Sequence, residues 1–183
     1  MTCTTASRSS SCVSLLAKIQ RARTAKEAST VPSRPLLIRE ASERRLLVSV
    51  FTDEERAYLT SDVPLGRLAT VGPDATPHVV PTGFRYNPDT DTIDVGGHDF
   101  ATRKKYRDVL RHPKVAFVID DLVSVSPWRV RGIEIRGEAE VLDTGGSQLG
   151  RGFAPEMFRI TPKRIVSWGM SGEQMSFSAR SVP

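Results

Sequence analysis

Cysteine is nearly absent from this sequence, and both cysteines, Cys3 and Cys12, lie near its start. The rest of the chain therefore has no disulfide framework, no cysteine-based metal site and no thiol nucleophile, which fits a reducing compartment and leads us to expect a cytoplasmic protein. No run of about 18 apolar residues is present, so no membrane span is expected. The sequence also lacks a Gly-x-Ser-x-Gly motif, a phosphate-binding P-loop and a Rossmann glycine pattern, which disfavours the enzyme classes built on them.

Acidic residues are scarce in one part of the chain only. The formal net charge is +5, but residues 1–47 hold 9 Lys and Arg against 3 acids, whereas residues 48–183 hold 17 against 18. The body of the chain is thus close to neutral, and it shows no interleaving of basic and aromatic residues. This distribution argues against a nucleic-acid-binding domain, and no nucleic-acid partner is expected.

The first 47 residues are rich in Ser, Thr and Arg, with one short apolar patch at 13–19. This composition predicts a disordered basic extension. A targeting leader and a start site placed too far upstream stay open as alternatives. We expect the folded domain to occupy residues 50–170 and a C-terminal tail to occupy 171–183.

The body reads as a series of short strands. Thr52 and Glu55 have the spacing of a capping box, which predicts a short N-terminal helix. Turn signals at 72–74 and 87–89 and alternating apolar residues then predict strands at 65–71, 77–86, 92–96, 114–120, 133–141 and 164–168. About six antiparallel strands with few helices indicate a mainly β protein, a β-barrel. Pro81 lies inside the second strand, where a proline marks an edge or a bulge.

One helix is predicted at about 102–112, and it begins with three cations, Arg103, Lys104 and Lys105. With Thr102 as the N-cap, these residues occupy the first turn, where the helix dipole disfavours positive charge. The predicted core-facing stripe is Tyr106, Val109 and Leu110. Arg103 and Lys105 flank this stripe and Lys104 points away from it. Arg103 and Lys105, with the free N–H groups of the same turn, therefore predict a phosphate or carboxylate site.

Four segments, in this order, resemble a known family: LGRLATVGPDATPHVVPTGFRYNPDTDTIDVGGHD (65–99), TRKKYRDVLRHPKVAF (102–117), GIEIRGEAEVL (132–142) and ITPKRIVSWG (160–169). They resemble the pyridoxamine-phosphate-oxidase-like (PPOX-class) split-barrel proteins, and within them the actinobacterial branch that depends on the deazaflavin coenzyme F-420. The resemblance covers almost all of 51–170 and implies an FMN-binding split β-barrel. It also implies a homodimer with the cofactor at the interface, to which Trp128 and Arg129 would contribute.

The resemblance implies a set of site residues. By position, its phosphate-gripping pair is Lys104 and Lys105, so this assignment and the helix geometry agree only on Lys105. The ring would lie against the second and third strands, at Val80, Pro81, Thr82 and the backbone of Val95, Gly96 and Gly97, with His98 beside it. The two glycines would let a ligand approach the backbone closely.

The implied activity is hydride transfer from F-420, or from FMN, to a small unsaturated or quinone-like substrate. The cofactor carries such chemistry, so no acid–base pair need be visible in the sequence. The long polyanionic tail of F-420 would use extra cations, for which Arg85, Arg103, Arg107 and Arg129 are candidates. A carrier that binds flavin, deazaflavin or haem without turnover remains the alternative. The three histidines show no metal spacing and read as surface or turn residues, and Asp120-Asp121 reads as the start of a loop.

Overall fold

The structure of the protein is a computed structural model, and it describes residues 49–62, 65–171 and 176–183. The prediction of a disordered basic extension at 1–47 falls outside these residues. No helix in the described ranges has the length and apolar character needed to cross a membrane.

The first helix, α1, spans Asp53–Leu59 and begins with the predicted capping box. The backbone N–H of Glu55 donates to Thr52 Oγ1 at 3.2 Å, and the N–H of Thr52 donates to Glu55 Oε2 at 3.0 Å. Two of the N–H groups that a helix start leaves without partners are thereby satisfied, which confirms the predicted helix. Tyr58 and Leu59 on its last turn are buried in the core.

Eight antiparallel strands form one sheet, and this confirms the predicted mainly β fold of the split-barrel type. Six were expected; the additional two arise because 77–86 divides into two strands and because a strand forms near the C-terminus. The strands are β1 (Gly66–Val71), β2 (Pro77–Thr82), β3 (Arg85–Asn87), β4 (Thr92–Val95), β5 (Lys114–Val125), β6 (Trp128–Leu142), β7 (Met157–Trp168) and β8 (Phe177–Ser181). Their order in the sheet is β2-β1-β5-β6-β7-β4-β3, with β8 paired to β7.

The core lies along β5, β6 and β7. Ile133 and Ile135 of β6 are fully buried, as the alternation at 133–141 predicted, and Phe117 of β5 lies opposite Ile135 in the register. Burial of such side chains contributes roughly 1.5–3 kcal/mol each. This face of the long β5–β6 hairpin therefore anchors the barrel.

Strand β2 lies at one edge of the sheet and pairs only with β1 among the described strands. Pro81 is paired with Arg67 in this register. A proline has no N–H to donate, so an edge position costs no ladder bond, and the edge placement predicted from Pro81 is confirmed. Beyond Thr82 the chain leaves the ladder at Gly83 and re-enters it as β3.

Strand β8 lies in the segment that was predicted to be a tail. It pairs with the second half of β7, at Arg164–Trp168, while β4 pairs with the first half of the same edge. Arg180 of β8 reaches α1, where its Nη1 donates to Glu55 Oε1 at 2.9 Å and its Nη2 donates to the carbonyl of Val50 at 2.6 Å. The last strand thus ties the first helix to the barrel.

Asp120 and Asp121 do not begin a loop, because β5 continues to Val125. Adjacent strand residues face opposite sides of the sheet, and the two carboxylates have different partners. Asp120 pairs with Arg67, and Asp121 accepts from Arg131 Nε at 2.8 Å. Both charges are neutralised within the sheet, which is why the strand continues through two aspartates.

Candidate functional site

A cavity of about 510 Å³ lies between the inner face of β2, the segment after β4, and the start of the second helix. That helix, α2, spans Lys104–Arg111. The loop that joins β6 to β7 closes one side through Phe153. The lining residues are Leu65, His78, Val80, Pro81, Thr82, Gly83, Gly96, Gly97, His98, Phe100, Arg103, Lys104, Lys105 and Phe153.

Helix α2 begins one residue later than predicted. Arg103 occupies the cap position, and no side chain caps the helix. Thr102 belongs to a short 3-10 turn, and its hydroxyl donates to the carbonyl of Asp99 at 2.8 Å. Because that hydroxyl is used by the preceding turn, Thr102 is not the cap. Of the first-turn N–H groups, that of Tyr106 donates to the carbonyl of Arg103 at 3.1 Å.

Lys105 is the half-buried cation of the site. Its Nζ lies 3.2 Å from Thr82 Oγ1 and 5.0 Å from the centre of the Phe100 ring. Burial lowers the pKa of Lys105, and the neighbouring Arg103 adds to this effect. Within the described part of the chain Lys105 has no carboxylate partner, so an anion entering the cavity would relieve the cost of its desolvation.

Lys104 also borders the cavity, but its charge is already paired. Its Nζ lies 2.8 Å from Oδ2 of Asp108, one turn further along α2, and the Asp108 side chain is only 1 % exposed. The prediction that Lys104 points away from the buried side of the helix is therefore wrong. A buried carboxylate holds the lysine there, since an unpaired charge at this depth would be costly.

The buried stripe of α2 also differs from the prediction. Val109 is buried and Tyr106 packs against Phe158 and Phe100, as expected. Leu110, however, is 63 % exposed, and Asp108 is buried in its place. The polar partners of Asp108 lie on neighbouring strands, so the hydrophobic periodicity of the helix alone could not show this rotation.

Arg103 lies at the edge of the cavity and interacts with the turn before it. Its Nε donates to the carbonyl of His98 at 3.2 Å, and its Nη2 lies 3.7 Å from Asp99 Oδ2. His98 in turn is 2.7 Å, through Nδ1, from the carbonyl of Gly152 and packs edge-on against Phe153. These contacts join the start of α2 to the loop that closes the cavity.

Gly96 and Gly97 lie on the cavity wall, but packing within the chain accounts for them. A Cβ at Gly96 would lie 3.0 Å from Leu149 and 3.3 Å from Phe153, and a Cβ at Gly97 would lie 3.4 Å from Phe100. The absence of a side chain at Gly96 therefore lets the β6–β7 loop close onto β4. The prediction that both glycines serve the approach of a ligand is incomplete for this reason.

Nine of the ten residues proposed from the sequence line this one cavity; the exception is Val95, which is fully buried in the core. Five lining residues were missed: Leu65, His78, Gly83, Phe100 and Phe153. The period of β2 could have indicated His78, because it lies on the same face as Val80 and Thr82. Phe153 comes from a distant loop and carries no local signal.

His78 is not a surface or turn histidine, contrary to its interpretation from sequence. Its side chain is 27 % exposed, and its Nδ1 lies 3.4 Å from Asp108 Oδ2. In the ranges the structure describes, no group of three or more His, Cys, Asp or Glu could hold a metal ion. The cavity itself has a cationic edge at the start of α2, an apolar wall on β2, and His78 and His98 among its lining residues.

Fold and cavity together define a split β-barrel protein whose cavity suits a planar, anionic ligand. The chain belongs to the pyridoxamine 5'-phosphate oxidase family, whose model matches residues 51–169. That match covers α1 through β7 and includes every residue of the cavity wall. The family resemblance inferred from the sequence is confirmed.

One relative narrows the class. The chain is 42 % identical over 123 residues to a 5a,11a-dehydrotetracycline/5a,11a-dehydrooxytetracycline reductase from Streptomyces rimosus. The match covers 67 % of this chain and 86 % of the reductase. Family and relative together make the chain an enzyme of the oxidoreductase class.

Solved structures share the fold at low sequence identity. A conserved hypothetical protein from Mycobacterium tuberculosis matches at a TM-score of 0.53 and 21 % identity, covering 74 % of this chain and 94 % of that one. A heme-binding protein from Mycobacterium smegmatis matches at a TM-score of 0.51 and 14 % identity, covering 73 % and 60 %. At such identities these likenesses show the fold alone.

Proposed function

We propose that this enzyme uses the deazaflavin coenzyme F-420 to reduce a small unsaturated or quinone-like substrate, with FMN as the alternative cofactor. Three findings support the proposal: family membership, the Streptomyces rimosus reductase at 42 % identity, and the composition of the cavity. When bound, such a cofactor supplies a hydride, and the protein supplies position, charge and exclusion of water.

The observation that carries the proposal is Lys105. It is a half-buried cation near an uncapped helix start, with a hydroxyl and an aromatic ring as neighbours and a lowered pKa. Charged groups removed from water are normally paired. A phosphate on the ligand would supply the missing charge and would also meet the N–H groups of the first turn of α2.

The cavity offers two kinds of surface to such a ligand. Lys105 and Arg103 would hold the anionic end, while Lys104 contributes less because Asp108 already neutralises it. The ring would lie on the wall made by Val80, Pro81 and Thr82 of β2, opposite the backbone of Gly97 and beside His98. The residues present therefore fit a cofactor with one flat apolar part and one acidic part.

Surface arginines favour F-420 over FMN in this proposal, because its polyanionic tail is longer. Arg107 and Arg85 are exposed, and each donates to a backbone carbonyl: Arg107 to that of Thr102 at 2.6 Å and Arg85 to that of Leu149 at 3.4 Å. A carbonyl leaves the charge of a guanidinium largely available. Arg103, the cap residue of α2, borders the cavity and would meet the start of the tail.

The substrate class follows from the relative. The Streptomyces rimosus enzyme is named as a reductase of dehydrotetracyclines, which are unsaturated polycyclic compounds. For this chain we propose only the type of substrate bond that is reduced: a carbon–carbon double bond conjugated to a carbonyl. The apolar β2 face of the cavity suits such a planar substrate.

We also propose a homodimer with the cofactor near the interface. The tip of the β5–β6 hairpin carries four exposed apolar side chains, from 46 % to 70 % exposed: Leu122, Val123, Val125 and Trp128. Apolar residues concentrated on a projecting hairpin are typical of a surface that a second copy covers.

Two measurements test the proposal on the full chain. Fluorescence titration with F-420 and with FMN should show binding of both or of one, with F-420 tighter. Reduced F-420 mixed with a panel of enones and quinones should then be oxidised only in the presence of protein. Tight binding without oxidation would instead indicate a carrier, and absence of binding to either cofactor would exclude the proposed site.

A further inference from the structure

A polar cluster lies under the cavity, between β1, β2 and α2. At its centre is the carboxylate of Asp108, whose Oδ2 accepts from Thr70 Oγ1 at 3.0 Å and from Lys104 Nζ at 2.8 Å. Nδ1 of His78 lies 3.4 Å from the same oxygen and 3.4 Å from Thr70 Oγ1. His78 borders the cavity and is partly exposed. Unlike Asp108 and Lys104, it does not carry a permanent charge.

Asp108 is ionised when it faces His78. Burial would raise the pKa of Asp108, but the bonds from Lys104 and Thr70 outweigh this and hold the pKa below its ordinary value. A fixed carboxylate beside an imidazole orients the ring.

The hydrogen bonds of the cluster determine the tautomer of His78. A threonine hydroxyl has one proton, and here it goes to Asp108 at 3.0 Å rather than to Nδ1 of His78 at 3.4 Å or to the carbonyl of His78 at 3.5 Å. The Thr70 oxygen and the Asp108 oxygen then both face Nδ1 as acceptors. Nδ1 must carry the hydrogen, so Nε2 is the nitrogen that gains and loses a proton.

The position of His78 on β2 places Nε2 near the proposed position of the cofactor ring. His78, Val80 and Thr82 lie on one face of the strand, and the cavity is lined by all three. At roughly 3.3 Å per residue, Val80 is about 7 Å away along the strand. Since Nδ1 faces Asp108 and Thr70, the opposite edge of the ring is the part left for the cavity.

We infer that His78 is the general acid of this cavity and delivers a proton from Nε2 to the reduced substrate. The inference rests on the proposed function, which supplies the hydride. Reduction of a conjugated double bond places the hydride and its two electrons on the carbon far from the carbonyl. The π electrons of the double bond move to the neighbouring carbon, which forms a bond to the proton of Nε2. Neutral His78 keeps its hydrogen on Nδ1 and regains a proton on Nε2 from solvent.

The charges around His78 set how this step depends on pH. On α2 they are Asp108 and Lys104, and on the β1–β2 turn the nearest is Asp74, which interacts with Lys104. From the far side of the cavity come Lys105 and Arg103. The step consumes the Nε2 proton of His78, so turnover should be slower at high pH.

A first test concerns the free protein and needs no cofactor. Two-dimensional ¹⁵N NMR of the full, uniformly labelled chain reports which ring nitrogen of a neutral histidine carries hydrogen, and His78→Gln assigns the signal by its loss. We expect the Nδ1–H tautomer for His78. The Nε2–H tautomer would overturn the inference. In that tautomer Nδ1, which faces Asp108, would be the nitrogen that exchanges its proton, and Nε2 would not.

A second test is kinetic. His78→Gln should lower kcat by about 10²- to 10⁴-fold, the usual contribution of a general acid. KM and cofactor Kd should stay within about twofold of wild type, and the decline of kcat at high pH should disappear. The matched control is His112→Gln, an exposed histidine at the end of α2. Unchanged kcat and an unchanged pH profile in His78→Gln would overturn the inference.

The two proposals fail in different ways. If the wild-type protein does not oxidise reduced F-420 with any acceptor, the proposed function is wrong, and the tautomer of His78 in the free protein still decides whether Nε2 is presented to the cavity. If wild type turns over and His78→Gln does so equally well, the proposed function stands and the role of His78 is wrong.

Discussion

Lys104 and Lys105 are adjacent in the chain, yet their side chains have different partners. Lys104 forms an ion pair with the buried Asp108, whereas Lys105 contacts a hydroxyl and an aromatic ring. Successive positions on a helix are about 100° apart, so the two side chains leave the helix in different directions. One cation therefore supports the fold, and the other is available to a ligand.

Replacing Lys105 should weaken cofactor binding without loss of fold. We expect Lys105→Ala to raise the Kd for F-420 or FMN by roughly 5- to 150-fold, about 1–3 kcal/mol, because a charge-assisted bond to the anion is lost. Fluorescence titration measures the change. Arg111→Ala, at the other end of α2, is the control. Equal affinity in Lys105→Ala and wild type would remove Lys105 from the site.

Replacing Lys104 should act mainly on stability. Lys104→Ala leaves Asp108 buried with Thr70 and His78 as its remaining partners. We expect the free energy of unfolding to fall by about 1–3 kcal/mol, the cost of a buried polar group that loses its partner. Urea denaturation monitored by tryptophan fluorescence measures it. In Arg111→Ala the change should stay within about 0.5 kcal/mol; a loss of similar size there would contradict the assignment.

At the scale of elements, the first helix and the last strand depend on each other. Arg180 of β8 binds the carboxylate of Glu55 on α1, and Glu55 is 1 % exposed. Burial would raise the pKa of Glu55, but the bonds from Arg180 and from the N–H of Thr52 outweigh this and lower it. The helix therefore has a buried negative charge that is paired with an arginine of a distant strand.

Removing Arg180 should destabilise the whole domain. Loss of one partner of a buried ion pair lowers the free energy of unfolding by about 3–5 kcal/mol. The Arg180 side chain is 28 % exposed, so we expect the loss in Arg180→Ala to lie at or below the lower end of that range. Chemical denaturation measures the difference. Arg164→Ala, an exposed arginine on the neighbouring strand β7, is the control and should change little.

The difference in unfolding free energy between wild type and Arg180→Ala should depend on pH. In wild type the pKa of Glu55 is depressed below its ordinary value of 4.5, so its contribution is complete above that pH and is lost as pH falls through the folded-state pKa. In Arg180→Ala, burial raises the pKa of Glu55, and protonation at low pH removes the unpaired charge. The gap in unfolding free energy between the two proteins should shrink as pH falls from about 7 through 4.5. A constant gap would contradict the role of Glu55.

At the scale of the whole molecule, the exposed β5–β6 hairpin predicts self-association. Trp128→Glu places a charge on the apolar tip and should shift the protein from dimer to monomer, as measured by light scattering after size exclusion. Leu110→Glu makes the same kind of change at an exposed position on α2 and should leave the dimer intact. A wild-type protein that is monomeric at all concentrations would exclude the proposed homodimer.

Much of the fold could be predicted because its signals are local. The capping box of α1, the alternation at 133–141 and the proline at an edge strand each depend on a few neighbouring residues. Strand ends were less predictable. Both β5 and β6 extend further than their patterns, because pairing across a long hairpin holds residues such as Asp121 that would otherwise favour a loop.

The residues of the candidate site also fall into two groups, those that the sequence could predict and those that only distant contacts place. Lys105 and Arg103 could be proposed from helix geometry, and Val80, Pro81 and Thr82 from the family resemblance; all five line one cavity. His78 and Phe153 were missed. Their position depends on contacts with residues 30 and 55 positions away, Asp108 and His98, which no local pattern contains.

By itself the sequence determined the strand series, the family and the placing of cations where one helix begins, because each of these depends on residue type and short spacing. Only the tertiary structure decided which of the two lysines has a carboxylate partner among the described residues. That outcome depends on Asp108, which is buried because β1 and β2 bring Thr70 and His78 to the same carboxylate. Charges are paired in three dimensions, and burial fixes how much an unpaired one matters.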